Sequence, residues 1–185
     1  MIDKVYSRAN HKIAFKIIIM TWVLLACAFR GDNTDVNAKV KAIFLYNFSK
    51  YITWPEKMAS GRFKIAIYGN YPALKDELVK MSRVKRRGDR SFEILSFDEV
   101  GDIVNTHILF LVKEKGKDID AVTRKLKKSS TLVVTEGEGL INQGAHINLY
   151  YENNKQKLEV NLSNFVNRGL VISEELISIS KVVDK

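Results

Sequence analysis

The sequence predicts an α/β protein, in which helices flank a mainly parallel sheet that ends in a C-terminal antiparallel hairpin. Three observations indicate this class. Short apolar stretches typical of buried strands recur along the chain, and stretches with apolar residues three and four positions apart separate them. Near the C-terminus, two strand-like stretches follow each other with only a turn between them. Strands joined through helices need right-handed crossovers, so most of the sheet should be parallel.

The first helix should begin near residue 36, with Thr34 or Asp35 as its cap, and end by about residue 53 because Pro55 follows. Lys39, Lys41 and Lys50 should lie off its buried face. That face is predicted from apolar residues at helical spacing, which are Val40, Ile43, Phe44, Phe48, Tyr51 and Ile52.

The remaining elements alternate between strands and helices. We predict strands at 63–68, 92–97, 107–112 and 131–135, and helices at 72–81 and 117–128, with a short turn or helix at 98–104. The uninterrupted apolar run at 107–112 should be a central strand. Strands at 145–151 and 157–162 should pair as a hairpin on the sheet edge around Asn153 and Asn154. Ser163 should cap a brief helix, and Ser173 a last helix at 174–183.

The N-terminus has the parts of a secretory signal peptide. Residues 1–16 carry four basic residues and one acidic residue, and an uncharged apolar run at 17–29 ends in small residues. This run is shorter than the about 20 residues that span a bilayer. We predict a signal peptide at 1–28, a short tether at 29–38 and one α/β domain at 39–185.

The sequence is compatible with two alternative sites for cleavage of the leader. Ala26-Cys27-Ala28 has the spacing of an ordinary signal peptidase site, whereas residues 24–27 (LLAC) resemble a bacterial lipobox, which would make Cys27 a lipidated N-terminus. Cys27 is the only cysteine, so a disulfide cannot stabilise the domain.

The composition excludes several classes of protein. Hydrophobic residues make up 46% and charged residues 28%, which excludes a mostly disordered chain and a bundle of membrane spans. The net charge of +9 falls to +6 when the leader takes four of the 30 basic and one of the 21 acidic residues with it. Outside the cytoplasm, nucleic acid is not an expected partner.

No catalytic or metal-binding pattern is present. His107 and His146, the histidines after the leader, both lie in apolar strand patterns and are expected in the core. The loop at 136–144 lacks the glycine order of a phosphate site, and we expect Glu136 and Glu138 to be solvated. The basic loop at 83–90 should also be solvated. We therefore expect no enzyme, cofactor or metal.

Several segments together resemble the YfiR family of exported bacterial proteins. The most specific block is 41–48 (KAIFLYNF), followed by Lys50, Tyr51 and the Trp54-Pro55 pair. The resemblance continues through 63–69, 107–110, 131–134, 144–149, 161–162 and 169–173.

This resemblance implies an α/β sandwich and a non-enzymatic regulator in the periplasm, or an envelope-anchored lipoprotein, of a Gram-negative bacterium. Its implied partner is a membrane-anchored sensor, either a diguanylate cyclase of cyclic-di-GMP signalling or a histidine kinase, which it binds and restrains. Of the residues in the family block, we expect Asn47, Lys50, Tyr51 and Trp54 to contact the partner. Redox control through cysteines does not carry over, because the mature chain has none after Cys27.

A second interpretation is a periplasmic protein that binds a small ligand or peptide at the carboxyl ends of the strands. A small ligand that gates partner binding, and a homodimer, also remain open.

Overall fold

The computed structural model describes residues 35–153 and 155–183. Its helices are α1 (Val36–Tyr51), α2 (Pro72–Val84), α3 (Ile119–Lys125), α4 (Leu162–Asn167) and α5 (Glu174–Ser178). Its strands are β1 (Ile52–Thr53), β2 (Phe63–Tyr68), β3 (Phe92–Phe97), β4 (Ile108–Leu111), β5 (Leu132–Glu136), β6 (Ile147–Glu152), β7 (Lys155–Val160), β8 (Val171–Ile172) and β9 (Lys181–Val182). Short 3₁₀ turns occupy Glu56–Met58, Val100–Asp102, Lys113–Asp118 and Leu140–Gln143.

The main sheet has the strand order β3-β2-β4-β5-β6-β7-β9. Neighbouring strands from β3 to β6 run parallel, β6 and β7 form the antiparallel hairpin, and β9 lies parallel to β7. This confirms the predicted α/β class and the hairpin. The chain places β3 on one side of β2 and then returns to place β4 on the other side. A topological switch point therefore lies between β2 and β4.

Side chains alternate between the two faces of the sheet and build a core on each. Along β4, Ile108 and Phe110 face one cluster, which also contains α1, α2 and residues of the C-terminal helices. Leu109 and Leu111 face the other cluster, which contains α3. Helices α1 and α2 therefore cover one face of the sheet, and α3 covers the opposite face.

Helix α1 begins where the sequence predicts, but it turns a different side to the core. The Asp35 carboxylate caps it by accepting hydrogen bonds from the backbone N–H groups of Asn37 and Ala38. Ile43 and Tyr51, which we expected to be buried, are 51% and 41% exposed. Phe48 and Ile52 are buried, as predicted, but the other core-facing residues of the helix are Ala38, Lys41, Ala42, Leu45 and Ser49. Small residues let the helix approach the sheet closely, so the stripe that contains them is the one that packs.

The C-terminal region departs from the prediction in its details. Helix α5 ends at Ser178, and β9 follows it and pairs with β7, so the hairpin lies inside the sheet edge. Asn161, and not Ser163, caps α4, because its side-chain oxygen accepts a hydrogen bond from the Asn164 N–H. The cap predicted at Ser173 is present. Strands β1 and β8, which we did not predict, pair with each other antiparallel.

The described residues contain no helix with the length and apolar character that a membrane crossing requires. The predicted signal peptide, most of the tether and the candidate lipidation site Cys27 lie outside the described residues.

Candidate functional site

Three of the four residues expected to contact a partner lie on the outer side of α1, near its C-terminal end. Lys50 and Tyr51 are exposed and Asn47 is half-buried. The Lys50 ammonium lies 4.5 Å from the ring centroid of Tyr46, a cation–π contact that holds the lysine along the helix surface. This end of α1 therefore presents a polar, amphipathic surface of the kind that protein interfaces use.

Trp54 does not belong to that surface, because it is only 8% exposed. Its indole N–H donates a hydrogen bond to the backbone carbonyl of His107, with a donor–acceptor distance of 3.1 Å. Its ring packs edge-on against Phe63, with the centroids 5.0 Å apart. Trp54 therefore holds the end of α1 against the sheet, beneath the surface where we expected it to bind a partner.

Two arginines of the basic loop are part of this packing, which corrects the expectation of a solvated loop. The Arg87 guanidinium lies 5.5 Å from the Trp54 ring centroid, and its Nε donates a hydrogen bond to the Ser49 carbonyl. Arg90 donates to the Gly61 carbonyl at 2.7 Å. These contacts cap carbonyls at the end of α1 and in the loop before β2. The two arginines therefore stabilise the loops around Trp54.

His107 is neutral in the folded protein. Its Nδ1 accepts a hydrogen bond from the Lys64 N–H at 3.0 Å, so the proton lies on Nε2, which donates to the Met58 carbonyl at 2.9 Å. Burial, together with the positive charge of Arg90, whose guanidinium lies 2.9 Å from Nε2, lowers its pKa to about 4.

His146 is fully buried, and its Nδ1 accepts a hydrogen bond from the Val133 N–H at 3.1 Å. Its Nε2 has no hydrogen-bond partner in the structure, and burial lowers its pKa to about 3. Both histidines are core residues, as the sequence predicts.

The two buried histidines predict a loss of stability in mild acid. An unfolded histidine has a pKa near 6.5, so below that pH the unfolded chain binds more protons than the folded one. The histidine contribution is complete above about pH 6.5, and it is lost as the pH falls toward about 4 for His107 and about 3 for His146. Urea unfolding between about pH 7 and 5.5 should show the free energy of unfolding falling by roughly 1 kcal/mol in total for each histidine, with most of the fall below about pH 6.5. A free energy that stays constant over this range, in which few carboxylates titrate, would contradict the assignment of neutral histidines.

A cleft lies at the carboxyl ends of the parallel strands, beside the switch point. One cavity of about 260 Å³ lies among residues that follow β2 and β4, and a second of about 460 Å³ extends over β5, β6 and β7. The two cavities share Lys113 and Glu136. Open α/β sheets bind ligands at this position, so the cleft is a candidate ligand site.

Polar contacts join α1 to the rim of this cleft. Lys41 is only 4% exposed, and its ammonium lies 3.0 Å from a carboxylate oxygen of Glu136. Tyr71 donates a hydrogen bond to Asp35 at 3.0 Å, and Tyr151 donates one to Asn37 at 2.8 Å. The expectations that Lys41 faces away from the core and that Glu136 is solvated are therefore wrong. The N-terminal half of α1 therefore contacts the rim of the cleft, whereas Asn47, Lys50 and Tyr51 lie on the outer side of its C-terminal end.

The profile of the YfiR/HmsC-like family matches residues 38–181, well over half of the chain. The chain belongs to the YfiR/HmsC-like family. This confirms the resemblance found in the sequence. Proteins of this family are periplasmic regulators of membrane signalling, and not enzymes.

Two solved structures are similar to this YfiR/HmsC-like chain, and the similarity supports its fold only. One is described as an ABC domain from Streptococcus pneumoniae in complex with L-Trp, and matches with a TM-score of 0.54 at 9% identity over 79% of this chain. Another is a conserved domain protein from Vibrio cholerae, with the same TM-score and identity over 80% of this chain. The YfiR/HmsC-like chain spans only 60% of the length of each. The comparison with curated proteins finds no match.

Sequence patterns predicted only part of the site in this YfiR/HmsC-like protein. Asn47, Lys50 and Tyr51 lie on one surface, as expected, whereas Trp54 lies below it. The Lys41–Glu136 ion pair was not foreseen. The sequence contained one signal for it, because Lys41 falls on the same helical stripe as Ala38 and Ala42, the small residues that pack against the sheet.

Proposed function

We propose that this protein is an envelope regulator that binds the outer-face domain of a membrane-anchored signalling protein, a diguanylate cyclase or a histidine kinase, and restrains its output. It would act by preferring the inactive conformation of its partner, which shifts the population of partner molecules toward that state. The proposed contact surface, here called the outer α1 surface, consists of Asn47, Lys50 and Tyr51.

One observation carries this proposal. A chain of a regulator family presents, at the most family-specific part of its sequence, an exposed aromatic and a lysine beside a buried anchor. Tyr51 offers a large amphipathic side chain at low entropic cost, and Lys50 offers a charge that selects among partners. Trp54 supports this surface from below.

Signalling output in cells tests the proposal. Deleting the protein should raise cyclic-di-GMP or phosphorylated response regulator, and supplying the wild type should lower it again. The double variant Lys50→Ala/Tyr51→Ala should weaken partner affinity by about 30-fold, because an aromatic interface anchor commonly contributes about 2 kcal/mol, and should restore little repression.

The matched control is Lys127→Ala/Lys128→Ala, which changes exposed lysines next to α3, on the opposite face of the sheet. This variant should repress like the wild type. Equal output with and without the wild-type protein would contradict the proposed function.

The cleft favours a second candidate, a protein that binds a small ligand. Its smaller cavity lies at the switch point, where open sheets of this kind hold ligands, and its larger cavity adjoins it over β5, β6 and β7. A solved structure of similar fold is described in complex with L-Trp. The same signalling experiment separates the candidates. A carrier without a signalling partner would leave the output unchanged, whereas a regulator gated by a ligand would not.

A further inference from the structure

A groove runs between α1 and α2 on the outside of the molecule, with a volume of about 260 Å³. Its floor is apolar, and two of its side chains are unusually exposed for their type, Ile43 at 51% and Val84 at 77%. The other apolar residues of the groove are Ala42, Tyr46 and Met81. Exposed aliphatic side chains that border one concave surface indicate a site for another molecule.

The spacing of the groove residues suits a helix as that molecule. On α1 the groove is lined by residues 39, 42, 43 and 46, and on α2 by residues 77, 80, 81 and 84, with Lys85 directly after the helix. Both sets repeat every three or four positions, so each helix presents one continuous stripe. Two adjacent stripes with a groove between them accept a third helix, whose apolar side chains pack into the groove at the same spacing.

The rim of the groove is basic. Lys39 and Lys85 border it, and the Lys85 ammonium lies 6.0 Å from the Tyr46 ring centroid. Glu77 and Lys80, also on the rim, form an ion pair at 2.8 Å, so their charges largely balance and the net positive charge comes from Lys39 and Lys85. A bound helix should therefore carry acidic residues on both sides of its apolar stripe.

We infer that this groove binds an acidic amphipathic helix presented by the membrane signalling protein. The inference rests on the proposed function and adds to it the chemistry of the partner. A second copy of this chain fits poorly, because its groove would bring lysines against lysines. A flat anionic membrane would leave the concave part of the groove unfilled. Tyr46 borders the groove on the same helix that carries Asn47 and Lys50, so one partner can contact both surfaces.

The test uses two fluorescent peptides of about 15 residues, long enough to form a helix when bound. Both carry the same leucine stripe, but one has glutamate and the other lysine at its polar positions. Fluorescence anisotropy should show the acidic peptide binding the wild-type protein at least about tenfold more tightly, with the preference weakening as salt is added.

Charge reversal locates the site. Lys39→Glu/Lys85→Glu should lose this preference and gain affinity for the basic peptide, whereas Lys127→Glu/Lys128→Glu on the opposite face should behave like the wild type. Lys39 and Lys85 are exposed, so the reversed variant should keep the wild-type melting temperature. Equal binding of both peptides, or a preference unaffected by the Lys39 and Lys85 changes, would overturn the inference.

Other occupants give different results. Binding to phosphatidylcholine vesicles only when they contain phosphatidylglycerol, without binding of the acidic peptide, would replace the helix with a lipid surface. Dimerisation lost in the charge-reversed variant would replace it with a second copy.

The failure of this inference is distinct from that of the proposed function. If Lys39→Glu/Lys85→Glu represses signalling fully while Lys50→Ala/Tyr51→Ala does not, the groove inference is wrong and the proposed function stands. If the acidic peptide binds as expected but the wild-type protein changes no signalling output, the proposed function is wrong.

Discussion

Replacing Trp54 with alanine should lower the free energy of unfolding by about 3–5 kcal/mol, the usual cost of removing a large buried aromatic side chain. The change removes the edge-on contact with Phe63 and one of the two aromatic rings, Trp54 and Phe63, that lie against the Arg87 guanidinium. It also removes the indole donor to the His107 carbonyl. Urea unfolding followed by circular dichroism measures the effect.

Tyr51→Ala is the matched control, because it removes an aromatic side chain only three residues away that is 41% exposed. We expect it to change the free energy of unfolding by less than about 1 kcal/mol, while weakening repression of the partner. The two residues should therefore separate stability from function. A Trp54→Ala protein as stable as the wild type would contradict the packing described for Trp54.

Replacing Glu136 with glutamine should lower the free energy of unfolding by about 3 kcal/mol, because it leaves the Lys41 ammonium buried without its carboxylate. The reverse change, Lys41→Met, should cost less. The Glu136 side chain is 20% exposed and can be solvated at the cleft, whereas that of Lys41 is 5% exposed. Urea unfolding of both single variants checks this asymmetry.

The double variant Lys41→Met/Glu136→Gln has no buried charge and should recover to within about 1 kcal/mol of the wild type. Glu138→Gln, an exposed change in the same loop, should stay within about 0.5 kcal/mol. If the double variant loses as much stability as the two single variants together, the residues do not act as a pair.

The order of strands and helices was predictable because each strand is a short apolar run and each helix has its own spacing. The run at 107–112 contains β4, an interior strand with β2 and β5 as its neighbours. The spacing of apolar residues could not predict which side of α1 faces the sheet, because two stripes of nonpolar residues lie next to each other on this helix. The stripe with Ile43 and Tyr51 is the more apolar by residue type, but the stripe with Ala38 and Ala42 packs closer.

The candidate site depends on contacts between distant parts of the chain, which local patterns do not contain. The helical pattern alone predicts Lys41 on the surface. Its partner Glu136 lies beside it only because β5 pairs with its neighbours in the sheet. The family block alone predicts Trp54 as an interface anchor. Its burial follows from contacts with Phe63 and the His107 carbonyl, which come from distant parts of the chain. Strand β9 has only two residues, too few to show a period, so the sequence around it was interpreted as helix.

The most direct test of the central claim is site-specific photocrosslinking in intact cells from position 50 on the outer α1 surface, compared with position 128 next to α3. We expect one membrane-anchored cyclase or histidine kinase to be crosslinked from position 50 and not from position 128, and the crosslink to weaken when Tyr51 is also replaced by alanine. Crosslinking of the same protein with equal yield from both positions, or of no membrane signalling protein from position 50, would contradict the account.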